Sequence, residues 1–366
     1  MKITRLFMDS NIMPSQETDS LIRKIGLKPE PVTDPRTVFD YVNQAHDPVL
    51  CGKQTLYITT NQGAVIRKCP GTSHYTCCDY TILHTGTFCT MDCSYCILQA
   101  YFHPPVLQYF AGRENMKQEL EHLFSQQKIY RIGTGEYTDS LIWERLCDQP
   151  EFLVKSFARQ NNAILELKTK TVNIHSLKTI DHNQKTVLAW SVNTSRVIAS
   201  EERDTAPLKA RLAAARECEK LGYRIAFHFD PLVIYPGCEA EYMDVISDIF
   251  EHVCGSSILW ISIGSFRFMP SLKPIIERRF PQSILPYGEF ILGLDNKMRY
   301  FKPLRMQLYK TIVRGIKAAA PQVMIYFCME DKEVWEKCCG YFPGREGELG
   351  HLLDKRATDL CNLSKF

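Results

Sequence analysis

The stretch GTFCTMDCSYCILQAYF, residues 86–102, places Cys89, Cys93 and Cys96 in a C-x3-C-x2-C spacing directly after the apolar run Thr81–Phe88. A loop this short can turn three thiolates toward one centre. A cubane [4Fe-4S] cluster carries four irons, so three protein ligands leave one iron open. The opening is the chemical point of such an arrangement, because a cosubstrate can chelate that iron and receive an electron directly. A tetrahedral zinc site is the competing reading, with the fourth ligand from Cys77, Cys78 or His84. The usual zinc spacing uses two C-x2-C pairs, and only one is present. Chance clustering in a cysteine-rich chain is the third reading. It carries less weight because the triplet sits in the loop where barrel chemistry belongs.

Outward from this loop, short apolar runs alternate with helical patterns. The strand candidates are Thr81–Phe88, Tyr130–Thr134, Ala163–Lys168, Val187–Asn193, Arg224–Phe229 and Ile258–Gly264. Between them the spacing predicts helices such as Arg113–Gln127, Pro207–Leu221 and Glu239–Val253. Strand–helix alternation about six times over, at roughly 25 to 35 residues per unit, predicts an α/β fold with parallel strands. Right-handed crossovers would close it into a partial (β/α)6 TIM-type barrel over residues 81–265, with the active site at the carboxyl ends of the strands. Residues 1–80 are expected as an amino-terminal extension packed on the barrel, and 266–366 as a basic carboxyl-terminal appendage. That appendage holds the helix candidate Arg305–Ala320 and the apolar strand Val323–Phe327.

Composition narrows the class. With 45% hydrophobic residues in 366, the chain can bury a sizeable core. A net charge of +3 confines any nucleic-acid surface to a local patch. The start, MKITRLFMDSN, lacks the apolar core of a secretory signal, and no run approaches the roughly 20 apolar residues of a membrane span. A cytoplasmic protein without membrane contact, monomeric or weakly dimeric, is expected. Fifteen cysteines then point to metal binding rather than disulfides. Cys147, Cys218, Cys254 and Cys328 lie in apolar patterns and are expected to act as small hydrophobes.

At the strand ends, Gly133-Thr134-Gly135-Glu136 combines close backbone approach with a carboxylate able to accept from an ammonium group. An ordinary turn with Thr138 or Asp139 capping a helix is the plain alternative. Lys168, and the run Ser191-Val192-Asn193-Thr194, put further polar side chains at the rim, where Ser191 and Thr194 read equally well as helix caps. His228 and Asp230 read equally well as a buried hydrogen-bonded pair that only shapes the rim and as a catalytic pair.

The cysteine spacing, with Tyr95 before the third cysteine, resembles the radical-SAM superfamily. KCPGTSHYTCCDYTILH, YRIGTGEYTDSL, WSVNTSRVI, APLKARLAAA and FRFMPSLKPIIERRFP are similar to the spore photoproduct lyase family over residues 55 to 280. The resemblance implies a [4Fe-4S] cluster on Cys89, Cys93 and Cys96, with S-adenosylmethionine (SAM) chelating the open iron. It implies SAM contacts from Tyr95, Gly133, Gly135, Glu136, Lys168, Ser191 and Asn193, and a low-potential electron donor such as flavodoxin or ferredoxin. Tyr95 matches one of two family tyrosines that relay the radical, while the second falls at Ile97. The family's hydrogen-donating cysteine falls at Glu136, whose O–H bond is too strong for that task.

From Lys297 to Lys317 seven basic residues occur without an acidic one, interleaved with Tyr300, Phe301 and Tyr309. The resemblance places a DNA-binding hairpin and helix here, implying phosphate contacts from Lys297, Arg299, Lys302, Arg305 and Lys310. A solvated helix face is the plain alternative. The reading reached is a radical-SAM carbon–carbon lyase acting on a thymine lesion in DNA. A family enzyme with another substrate, and a non-catalytic zinc protein binding nucleic acid, are the two alternatives.

Overall fold

Seven apolar runs, each buried along most of its length, line up in chain order as one parallel sheet. The computed structural model describes residues 1–72, 74–344 and 347–365; Ser73, within the KCPGTSHYTCCDYTILH stretch, lies outside them, as do Arg345, Glu346 and Phe366. The sheet comprises β1 (Ile66–Lys68), β2 (Thr81–Leu83), β3 (Tyr130–Gly133), β4 (Ala163–Thr169), β5 (Thr186–Ser191), β6 (Arg224–Leu232), β7 (Ile258–Ser265) and β8 (Met324–Phe327). Each strand pairs with the next, and only β1, at the edge, runs antiparallel. Strands β5 and β7 are buried at every position, as expected of a sheet covered on both faces. The covering helices include Gln149–Ala158, Leu208–Lys220, Cys238–His252 and Lys302–Ala319. The α/β partial barrel expected from the alternation is the observed fold, a curled half-barrel.

Three boundaries differ from expectation. The run Thr81–Phe88 is not one strand: Gly86–Thr87 leaves the barrel and pairs with Leu107–Phe110 in a second sheet. Parallel strands Glu30–Val32, Arg5–Asp9 and Thr55–Thr59 complete that sheet. The amino-terminal 80 residues therefore share a sheet with residues inside the expected 81–265 unit. At the other end, β8 belongs to the barrel, so the sheet passes residue 265 and has seven parallel strands rather than six. Periodicity found Thr81–Phe88 and Val323–Phe327 but could not show which sheet would take each, and it did not pick out Arg5–Asp9, Glu30–Val32 or Leu107–Phe110, because pairing partners are set by tertiary contacts.

Candidate radical-SAM site

Cys89, Cys93 and Cys96 face one cavity of about 190 Å³ at the carboxyl end of the barrel. The loop that carries them is pinned from behind by its own carbonyls. Lys53 Nζ donates to the Cys89 carbonyl at 3.3 Å and to the Met91 carbonyl, and Gln99 Nε2 donates to those of Cys93 (3.1 Å) and Ser94 (3.0 Å). Asp92–Cys93 adds a short antiparallel bridge to Glu202–Arg203. With the carbonyls held outward, the thiols project inward. Burial pushes the Cys89 thiol up to about 11 and the Cys93 thiol well above its ordinary value. Such thiols ionise when bound iron offsets the burial. Among the described residues no three His, Cys, Asp or Glu side chains converge as they would around a single ion. Three sulfurs around one shared cavity suit the wider footprint of an iron–sulfur cluster, and the residues present fit that group.

Opposite the thiols stand Gly135, Glu136, Lys168 and Ser191, all lining the same cavity. Lys168 Nζ lies 2.9 Å from Glu136 Oε1. The ammonium holds the Glu136 carboxyl below its ordinary value, against the opposing effect of burial. Burial would lower Lys168 in turn, but Glu136 raises it above its ordinary value. A Cβ at Gly135 would stand 2.8 Å from Lys168 Cβ and 3.2 Å from Ser140 Oγ, so only glycine lets the two strand ends meet. A carboxylate, an ammonium group and a hydroxyl aimed into one cavity can receive the amino and carboxylate groups of an amino acid such as the methionine part of SAM.

Tyr95 is buried and donates its hydroxyl to Glu202, which Arg211 holds at 2.5 Å. The residue touches this cavity and the larger one beside it, of about 520 Å³. Cys96, Glu136, Lys168, His228 and Asp230 also line both, so the chambers share a wall. The larger chamber adds Cys69, Cys78, Arg267, Lys297, Tyr326 and Cys328.

Several expected roles change. Gly133 does not face the cavity: a Cβ there would fall 1.6 Å from the Tyr80 hydroxyl, and it is this approach that requires glycine. Asn193 is spent on structure, donating to Pro231 O at 2.8 Å and accepting from Tyr242 at 2.7 Å. His228 and Asp230 do not pair with each other. His228 Nε2 lies 3.3 Å from Glu166, and Arg267 lies 3.3 Å from Asp230. Thr194 caps the helix Ser195–Glu201, as its plain reading has it. No helix begins at Asp139; its carboxylate instead ties Leu141 N (3.0 Å) to Lys170 N (2.8 Å). Cys254 is exposed, and Cys328 lines the larger chamber, so neither is the inert apolar filler expected.

The basic stretch changes most. Arg299 is buried and held by Asp295 at 2.6 Å, and Arg305 is buried against Glu330 at 2.9 Å. Lys302 is taken by Asp331 and Glu333, at 2.7 and 3.0 Å. Tyr300 and Tyr309 are buried too. Lys310 is exposed on the outer helix, and Lys297 faces the larger chamber, 3.8 Å from Asp295. Arg299 and Arg305 are thus withdrawn from any phosphate. Charge counting could not see this, because every partner except Asp295 lies beyond residue 317. The groups the sequence reading missed are Lys53, a lone lysine, Glu202, one of four charged residues in the run Glu201–Asp204, and Arg267, in a stretch quoted only for its family likeness.

A parallel half-barrel with a three-thiol loop at its carboxyl rim is the architecture of the radical-SAM class. A family model described as spore photoproduct lyase matches residues 53–323. The chain belongs to the spore photoproduct lyase family. It is similar to the spore photoproduct lyase of Clostridium acetobutylicum, 24% identical over 254 residues, covering 69% of this chain and 71% of that one. The Bacillus subtilis enzyme is 23% identical over 210 residues, 56% of this chain and 61% of the other. Among solved structures, a spore photoproduct lyase variant with bound AdoMet and dinucleoside spore photoproduct superposes with a TM-score of 0.77 at 20% identity. It covers 89% of this chain and 100% of its own.

Proposed function

We propose that the chain is a radical-SAM lyase that reverses a thymine photoproduct in DNA. The carrying observation is the pair of chambers with a common wall: thiols and the Glu136–Lys168 pair in one, and room for a dinucleotide-sized group in the other. Bound together, cluster and SAM would supply a 5′-deoxyadenosyl radical. Glu136, Lys168 and Ser191 orient SAM through its polar groups, and Tyr95 borders both chambers with its proton on a bond to Glu202. Family membership supports the lesion as substrate, as does the relative that binds the dinucleoside photoproduct. The hairpin Phe290–Leu292 and Met298–Tyr300 stands beside Arg267–Phe268 at this end and exposes Ile291, Leu292 and Leu294. Apolar side chains so placed can wedge between bases while Lys297 meets the extruded lesion. The test supplies reductant, SAM and DNA carrying the photoproduct to anaerobically reconstituted protein. Restored thymines support the reading. Deoxyadenosine without repair transfers it to another substrate, and zinc without iron removes it.

With Glu136 in the donor's place, the hydrogen must come from another group, and Cys328 is the best placed thiol. It follows the last residue of β8, lines the larger chamber, and accepts from Arg267 Nη2 at 3.2 Å, which leaves its own S–H free to turn inward. Burial pushes this thiol up to about 11, so it keeps its proton at neutral pH. In giving a hydrogen atom to the product carbon it would become a sulfur radical, restored by one electron from the low-potential donor and one proton from water. Cys328→Ala is expected to retain deoxyadenosine formation and lose most thymine repair. Full repair by that variant, with loss in Cys69→Ala instead, reassigns the donor.

A further inference from the structure

The amino-terminal helix Pro48–Gln54 contributes one charged group to the interior, and it ends against the cluster loop. Lys53 is fully buried. Its position is set by Gly52, where a Cβ would fall 1.6 Å from the Pro105 carbonyl oxygen, so the two backbones touch. The ammonium spans the first half of the loop through the Cys89 and Met91 carbonyls, and it lies 4.3 Å from the Phe88 ring centroid. Phe88 itself holds φ at +68°, a left-handed conformation costly for a bulky side chain, directly before the first ligand.

The charged side chains behind the loop form a short chain. Asp92 Oδ1 stands 4.0 Å from Lys53 Nζ and 3.1 Å from Arg279, and Arg279 also holds Asp47 at 2.9 Å. Two cations balance two carboxylates. Removing Lys53 leaves this group with one net negative charge near the thiols, although Arg279 still holds Asp92 at 3.1 Å. A cluster on three thiolates is anionic, and adding an electron makes it more so. Net charge and hydrogen bonds around the sulfurs set the potential of such clusters.

We propose that Lys53 is the positioning residue of the cluster: it holds the Cys89–Met91 turn and its charge raises the cluster's reduction potential. This rests on the radical-SAM reading of the site. The test is a redox titration, followed by electron paramagnetic resonance, of reconstituted wild type and of Lys53→Arg, Lys53→Gln and Lys53→Met. Gln and Met are expected to lower the ratio of reduced to oxidised cluster at fixed poise about tenfold or more, ~59 mV for a one-electron couple. Arg, which keeps the charge, is expected to titrate near wild type. If Gln and Met fold, by circular dichroism, but retain no iron while Arg retains it, the requirement for the charge is upheld. Loaded Gln and Met variants at the wild-type potential overturn the proposal, as does an Arg variant that behaves like Met. A wild-type chain that never gains an iron–sulfur signal overturns the functional reading itself, an outcome distinct from either.

Discussion

Arg305→Ala is expected to cost about 3–5 kcal/mol of folding stability, the range for breaking a buried pair by removing one partner. Arg305 and Glu330 are both almost wholly buried, at 3% and 1% exposure, so the carboxylate left behind has no access to water. Its remaining support would be the Tyr309 hydroxyl, at 2.8 Å. Arg305 also donates to the Tyr300 carbonyl at 2.7 Å, so the end of the hairpin loses its tie to the long helix. Urea unfolding of the variant measures the cost. A loss under 1 kcal/mol with a matching fall in DNA affinity would restore the phosphate-binding role that the charge run implied. The pair also shows why a charge run misleads: the long-range partner decides whether a guanidinium faces solvent or the core.

Glu136→Gln is expected to weaken SAM binding by about 10- to 100-fold, since charged hydrogen bonds contribute about 1.5–3 kcal/mol and each 1.4 kcal/mol is tenfold. The variant keeps the shape of the side chain and removes its charge, leaving Lys168 without its 2.9 Å partner. The pH dependence follows from the directions of the shifts. Glu136 sits below its ordinary value of 4.5, so the pair's contribution is complete above that value and is lost only as pH falls through the depressed one. Lys168 sits above its ordinary value of 10.5, so on the alkaline side the contribution fades only at higher pH still. Once the change contributed by SAM's own α-amino group, which titrates at about 8, is subtracted, SAM affinity by calorimetry should therefore be flat from pH 6 to 9 in the wild type. A steep change inside that window would show that another group governs binding.

How much of this was legible in the sequence depended on the range of the interactions. The C-x3-C-x2-C loop and five of the six expected parallel strands are local patterns and lie where those patterns placed them, and Gly135, Glu136, Lys168 and Ser191 line the cavity beside the loop. Gly133 and Asn193 stand off the cavity because of partners distant in sequence: the Tyr80 hydroxyl fills the space beside Gly133, and Pro231 and Tyr242 take the Asn193 amide. Cys328 read as core because its run, Val323–Phe327, is apolar; only the strand's place at the end of the sheet brings it beside Arg267. Lys53 gave no signal, being one lysine in a short helix whose importance comes from a backbone contact with Pro105, half a hundred residues away.

The chain's passage from the barrel into the second sheet has a kinetic meaning. Gly86–Thr87 pairs with Leu107–Phe110, which pairs with Thr55–Thr59, so the cluster loop is stitched at both ends to strands of the smaller sheet. Any local opening that frees the Leu56, Tyr57 and Ile58 amides also slackens the loop. Hydrogen exchange at those amides and loss of iron from the thiols should therefore share one opening rate, so that the smaller sheet acts as the latch on the metal's lifetime.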